Sequence, residues 1–172
     1  MLFRSEASAK ADPGVPDDHV LQNIAIVTTC AIYVQILIGA TMRHTGAGLA
    51  IPDFPLAFGH LLPPMWSAAI AIHYTHRIGA LIVTTLVLAT ALHALVRQRG
   101  SRALGRPALL LIVLVAVQVT LGAATVLSGK QYLINSLHVV CGSFVLGTSL
   151  VLTLRANYPR FIRPAGAVPV AA

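Results

Sequence analysis

Four long apolar stretches dominate this sequence and leave few ways for it to fold. They cover residues 21–42, 67–96, 108–127 and 133–154. A helix that crosses the hydrocarbon core of a membrane needs about 20 mostly apolar residues. Backbone polar groups must be satisfied within such a segment, which favours helices. The sequence therefore predicts an all-α integral membrane protein with four transmembrane helices.

The composition agrees with this class. Charged residues make up 10% of the chain and apolar residues 56%, with a mean hydropathy of +0.80, whereas soluble domains carry about 25% charged residues. In such a chain the formal net charge of +7 indicates topology and contact with membrane lipid. Nothing in the sequence resembles a nucleic-acid module, and no nucleic-acid partner is expected. Cys30 and Cys141 lie in apolar runs, where we expect small buried hydrophobes.

The loop charges predict an orientation. Arginines are concentrated in the loop between the second and third helices and in the C-terminal segment: Arg97, Arg99, Arg102, Arg106, Arg155, Arg160 and Arg163. The first loop has only Arg43 and the third only Lys130. By the positive-inside rule, residues 1–20 and 155–172 are predicted to be cytoplasmic tails, and loop 43–66 lies outside. The expected location is the cell (inner) membrane, crossed several times.

The two halves of the apolar region resemble each other. The pattern V-Q-x-x-x-G-A occurs at Val34–Ala40 and again at Val117–Ala123. The pattern I-x-x-x-H occurs at Ile72–His76 and again at Ile134–His138. The helices thus form two similar hairpins, and such repeats often enclose a site on their shared axis.

His76 and His138 hold equivalent positions in this repeat and lie at similar predicted depths. Ionisable residues at membrane depth usually face the interior and have a partner. Two facing imidazoles can take both axial positions of one haem iron. The alternative is that they bond to Gln35 or Gln118 and simply hold the helices together.

Other residues could complete a haem pocket. Gly39 and Gly122 would allow close approach of a flat macrocycle, and Arg77 or Arg43 could pair with its propionates. His73 shares a helix face with the predicted ligand His76, so it could line the pocket, compete as a ligand or only pack.

Four further residues are less tied to this pocket. His93 lies near the other end of its helix, and no histidine of the fourth helix matches it, so a second haem is not expected. His44 and His60 are expected to be polar loop residues. Asp53 is interpreted as a turn residue or the one carboxylate near the site.

The outer loop adds a family resemblance. The run Gly39–Leu56 reads G-A-x-x-R-x-T-G-x-G-L-x-x-P-D-F-P-L. Together with His76-Arg77, Gln118-x-x-x-Gly122 and His138, it resembles the haem A synthase (cytochrome oxidase assembly) family. Members usually have eight helices in two halves, each holding a haem between two histidines. The resemblance implies that His76 and His138 ligate haem iron here.

That family oxidises the methyl group of haem O to the formyl group of haem A for cytochrome oxidase. The implied cofactors are haem B, haem O or haem A, with their iron. With four helices, this chain is expected to work as a homodimer or with a related half-size partner. His73 stands where the substrate half usually has a catalytic glutamate, and Ile51 and Ala57 replace a frequent cysteine pair. The alternative function is a non-catalytic b-type haem protein that transfers electrons or holds haem.

Overall fold

The computed structural model describes residues 18–162, which form a bundle of four long α-helices. They are α1 (His19–His44), α2 (Ala68–Arg97), α3 (Arg102–Leu127) and α4 (Tyr132–Ile162), with a short 3-10 helix (Ala47–Leu49) after α1. Each long helix has the length and composition needed to cross a membrane. The predicted all-α fold class with four spans is therefore confirmed. Of the predicted tails 1–20 and 155–172, residues 1–17 and 163–172 lie outside the described residues, while 19–20 and 155–162 belong to helices α1 and α4.

Two helices, α3 and α4, extend more than five residues beyond their apolar stretches. α3 begins at Arg102 and contains Pro107, and α4 continues past residue 154 to Ile162. Pro107 has no N–H, so the carbonyl of Ala103 loses its usual helical partner. The Nη1 of Arg155 on α4 donates to that carbonyl at 2.8 Å. The extension of α4 thus supplies a donor for the carbonyl that Pro107 leaves without its helical partner.

The helices pack in a ring. The closely packed pairs are α1–α2, α2–α3, α3–α4 and α4–α1. Consequently α1 lies opposite α3, and α2 lies opposite α4. The N-terminus of α1, the α2–α3 loop and the end of α4 meet at one end, here called the arginine-rich end. The other end, which carries residues 45–67, is called the outer-loop end. Which end faces the cytoplasm stays a prediction.

The hydrophobic core fills only the arginine-rich end. Leu21, Val87, Leu104, Leu111 and Leu152 are among its fully buried side chains. Threonine hydroxyls reinforce this end: those of α1 bond to hydroxyls of α2 and α4 at 2.7–2.8 Å.

Towards the outer-loop end, buried helix residues become scarce. None lies beyond Ile32 in α1 or Val115 in α3, and none precedes Cys141 in α4. In α2, the only buried residues before Val87 are Ile70 and His73. Most of the outer half of the bundle is therefore not closed by side-chain packing.

The outer loop folds back over α2. Its buried residues Ile51 and Ala57 form a small cluster with Ile70. The Asp53 carboxylate accepts the N–H groups of Gly59 and Phe58, both at 2.8 Å. These bonds hold the pKa of Asp53 below its usual range. Of the two roles predicted for Asp53, these bonds show that of a turn residue.

The two cysteines differ. Cys141 is buried, as expected, and its Sγ donates to the carbonyl of Leu114 at 3.6 Å. Cys30 is exposed on the outer surface of α1, so the expectation that it is buried is wrong. Its apolar surroundings in the sequence reflect contact with lipid, because a spanning helix is also apolar on its outer face.

Candidate functional site

Each predicted histidine is contacted by a glutamine from the preceding helix. The Nε2 of Gln35 on α1 donates to the carbonyl of His76 at 2.7 Å and contacts its Nδ1 at 3.0 Å. The Nε2 of Gln118 on α3 lies 3.4 Å from Nε2 of His138. The repeat found in the sequence thus gives two corresponding glutamine–histidine contacts.

Glycines make room for these groups. A Cβ on Gly39 would lie 3.0 Å from Cε1 of His76, and one on Gly122 would lie 3.1 Å from Cε1 of His138. A Cβ on Gly142 would lie 3.2 Å from Nε2 of Gln118, and one on Gly79 would collide with Oε1 of Gln35. Gly39 and Gly122 were predicted to admit a macrocycle. In the structure, they are the surfaces on which the imidazoles rest.

The two histidines come from opposite helices of the bundle. α2 and α4 occupy opposite corners of the ring, and each imidazole packs on a glycine of a neighbouring helix, that of His76 on Gly39 of α1 and that of His138 on Gly122 of α3. Both side chains therefore point to the interior. They lie in the half of the bundle where the helices bury few side chains.

Several polar atoms around the pair have no partner. Oε1 of Gln35, Oε1 of Gln118 and Nδ1 of His138 are buried and make no hydrogen bond. An unsatisfied buried polar atom costs about 1–3 kcal/mol, so three in one small region are unusual. If these residues only joined the helices by hydrogen bonds, which is the alternative interpretation, we would expect fewer of their polar atoms to be unsatisfied.

Arg77 anchors the outer loop. Its guanidinium donates to the carbonyls of Leu56, Ile51 and Asp53 at 2.6–3.0 Å. Its Nε also contacts Nε2 of His73 at 3.2 Å. A guanidinium has five N–H donors, so these contacts leave one for a predicted propionate.

His73 is buried beneath the same loop, with 2% of its surface exposed. The N–H of Ile51 points to its Nδ1 at 3.2 Å, and Nε of Arg77 points to its Nε2. A neutral imidazole carries one N–H and can accept only one of these donors, and an imidazolium could accept neither. His73 thus helps to hold the loop and has no nitrogen directed at an open space.

The remaining predicted positions lie farther from the pair. Arg43, His44 and His60 are exposed at the outer-loop end. Lys130, from the loop between α3 and α4, extends over Gly48, where a Cβ would meet its Nζ at 3.4 Å. Sequence reasoning gave Lys130 only a role in topology, and its closeness to the first loop had no signal in the sequence.

His93 belongs to a different cluster, at the arginine-rich end. Its Nε2 contacts the Asp18 carboxylate at 2.9 Å, and Gln98 donates to the same oxygen at 3.0 Å. Asp18 also caps α1 by accepting the N–H of Leu21 at 2.9 Å. Burial works against ionisation of Asp18, but these hydrogen bonds outweigh it and its pKa is lowered. The sequence reading assigned Asp18 to a tail, although an aspartate just before an apolar run is a typical N-cap.

Comparison with known proteins supports the resemblance seen in the sequence. The model of a family described as cytochrome oxidase assembly protein (COX15-CtaA) matches residues 2–150. A heme A synthase of Halalkalibacterium halodurans is 30% identical over 136 residues, which are 78% of this chain and 45% of that protein. A heme A synthase of Staphylococcus aureus (strain MSSA476) is 31% identical over 136 residues, 77% of this chain and 43% of that protein. The chain thus spans less than half the length of these relatives.

Proposed function

The chain belongs to the cytochrome oxidase assembly protein family, and we propose that it holds a haem between His76 and His138 and serves haem A biosynthesis. The observation that carries the proposal is the pair of glutamine–glycine–histidine groups on opposite sides of the bundle axis. Each group supports one imidazole against a glycine and points it into the interior.

The residues present fit a haem in three respects. The region between the two imidazoles buries few side chains, so a flat apolar group could replace missing packing. The buried Nδ1 of His138 makes no hydrogen bond with the described residues and could therefore bind the haem iron. Among residues 18–162, no group of three histidine, cysteine, aspartate or glutamate side chains could hold a bare metal ion. Two imidazoles alone would suit an iron that is already bound in a haem.

Gln35 and Gln118 have a supporting role in this proposal. A histidine that ligates iron through one ring nitrogen carries its proton on the other, and that N–H needs an acceptor. The buried Oε1 atoms of the two glutamines have no partner and lie in the same cluster. A rotation of the Gln118 amide would direct its oxygen to such an N–H on His138 and fix the orientation of that ring, whereas the bond of the Gln35 amide to the carbonyl of His76 opposes the same rotation.

The outer loop, held by Arg77, lies over the outer part of α2 beside the proposed site and would limit access of water from that side. When bound, the haem supplies the redox chemistry. The protein would supply His76 and His138 to hold the haem, together with the orientation of these rings and the apolar surroundings. Because relatives named heme A synthase are more than twice as long as the matched region, we propose that a second copy or a related partner provides the second half of the enzyme.

A second candidate function is a haem protein without oxidase chemistry, and one observation favours it. His73, at the position where the resembling enzymes have a glutamate, is buried between two donors. It supplies no fixed negative charge and no ring nitrogen directed at the site. A carboxylate at this position could accept both donors together.

Extraction of the bound haem distinguishes the two functions. The protein is co-expressed with a haem O synthase, purified in detergent and analysed by mass spectrometry of its haem. Haem A in the wild type supports the enzyme. Haem B alone in the wild type, with haem A in His73→Glu, supports the non-catalytic function and identifies the missing group. A protein that purifies folded but without any haem refutes both.

A further inference from the structure

A groove between α3 and α4 lies outside the proposed haem site. It has a volume of about 910 Å³ and opens on the outer surface of the bundle, near the arginine-rich end. Leu110 on one wall and Phe144, Val151 and Leu154 on the other give it a long apolar lining, and all four are well exposed. In a membrane, such a groove faces the acyl chains of the lipid.

Gly147 forms part of this lining and has no packing role within the chain. A Cβ on it would have no heavy atom within 4 Å. The glycines of the candidate haem site differ, since a Cβ there would press on a histidine or a glutamine. Glycine weakens a helix relative to alanine. At this position the glycine leaves the surface of α4 open to close approach from outside the chain.

Three arginines surround one end of the groove. Arg102 and Arg106 are four residues apart and thus share a face of α3, while Arg155 lies on α4. Arg155 is fixed there by its bond to the carbonyl that Pro107 leaves free. None of the lining residues is acidic. Among residues 18–162 the only carboxylates are Asp18 and Asp53, which are bonded elsewhere.

We propose that this groove binds a phospholipid with an anionic headgroup, whose phosphate contacts the three arginines while an acyl chain lies along the apolar wall over Gly147. Basic pockets between transmembrane helices are suited to such headgroups. A second copy of the chain is a poorer occupant. A symmetric contact at this surface would bring two sets of arginines together with no carboxylate between them.

Native mass spectrometry and thermal unfolding of the full chain in detergent test the proposal, with cardiolipin, phosphatidylglycerol and phosphatidylcholine as probes. We expect the first two lipids to be retained and to raise the unfolding temperature more than phosphatidylcholine does. At roughly fivefold per arginine, Arg102→Gln/Arg106→Gln should lower the affinity for anionic lipid about 25-fold. Arg97→Gln/Arg99→Gln, which makes the same charge change in the adjoining loop, should leave the affinity close to that of the wild type.

Gly147→Leu is the second variant, because it adds bulk to the groove and its Cβ would have no heavy atom of the chain within 4 Å. It should reduce retention of anionic lipid while all arginines remain. The proposal would be overturned if the two arginine double variants lost the same affinity for anionic lipid. It would also be overturned if the wild type showed no preference for anionic lipid. Displacement of the lipid by inorganic phosphate alone, or a Gly147→Leu variant that changes the oligomeric state but not lipid binding, would overturn it as well.

Discussion

Replacing Gly122 by alanine tests whether close contact between glycine and imidazole shapes the site. The new Cβ would lie 3.1 Å from Cε1 of His138. Carbon atoms in good contact are about 3.5–4.0 Å apart, so the ring must retreat by roughly 0.4–0.9 Å. Among residues 18–162, the ring makes one hydrogen-bond contact with a neighbouring helix, to Gln118 at 3.4 Å, and a contact of this length opposes the displacement only weakly. We therefore expect the imidazole to move rather than the helices.

The expected cost follows from this displacement. Overpacking of this kind costs about 1–3 kcal/mol, and a metal site tolerates ligand displacements of only about 0.2 Å. If most of this cost appears in the haem-bound state, the dissociation constant for haem rises about 5- to 150-fold. Gly39→Ala should act similarly on His76, where the corresponding distance is 3.0 Å.

The assay is a titration of the haem-free protein with haemin in detergent, followed by the Soret absorbance and the low-spin bands. Gly105→Ala is the matched control, because it lies on the same helix and its Cβ would meet only Leu95, at 3.9 Å. The control should bind haem as the wild type does. Thermal unfolding of the haem-free proteins separates a folding defect from a binding defect.

One result would refute the reasoning. If Gly122→Ala and Gly105→Ala both bound haem with wild-type affinity and wild-type spectra, the imidazole of His138 would not depend on its glycine surface. The glycine–histidine contacts would then be incidental to the site, and the proposed role of the repeat in positioning the two rings would fail.

Three further predictions concern other parts of the molecule. His138→Ala should abolish the low-spin haem spectrum, whereas His93→Ala should preserve it; a spectrum lost only in the second variant would show that the ligands are assigned wrongly. Arg77→Gln should release the outer loop and speed its cleavage by protease several-fold, with unchanged cleavage contradicting the anchoring role. Because the pKa of Asp18 is lowered in the folded protein, its stabilising effect is present above the ordinary carboxyl value and is lost as the pH falls through the folded-state pKa. Asp18→Asn keeps an N-cap residue but should remove the loss of stability that protonation of Asp18 causes at low pH. If the unfolding temperature of the variant fell at low pH as it does in the wild type, the stabilising role of the Asp18 carboxylate would be contradicted.

Much of the fold was predictable because the bilayer restricts it. Four apolar stretches of sufficient length can satisfy their backbones in lipid only as helices, and the structure confirms them. Helix ends were less predictable. α3 begins at Arg102 and includes Pro107. The carbonyl of Ala103 that the proline leaves without a helical donor is bonded by Arg155, which lies more than fifty residues later. A local pattern around Pro107 cannot contain that information.

The repeat also identified the candidate site, since it singled out Gln35, His76, Gln118 and His138. Their contacts follow from the hairpin geometry that the repeat implies. The sequence did not show that a residue next to these four, Arg77, also bonds to the outer loop. Arg77 looked like a propionate partner because it follows His76, but the folded loop brings three carbonyl groups within its reach.

The sequence by itself determined the class of the protein and the number of spans, and it singled out two similar hairpins and the repeat-related pair His76 and His138. These properties depend on length, hydropathy and internal similarity, which are present in the chain before it folds. Only the tertiary structure decided that His73 holds a loop between two donors, that glycines support the imidazoles, and that the packed core stops short of the site. Those outcomes depend on distances between segments that are far apart in the chain. They also depend on which acceptor groups the fold places next to each hydrogen-bond donor.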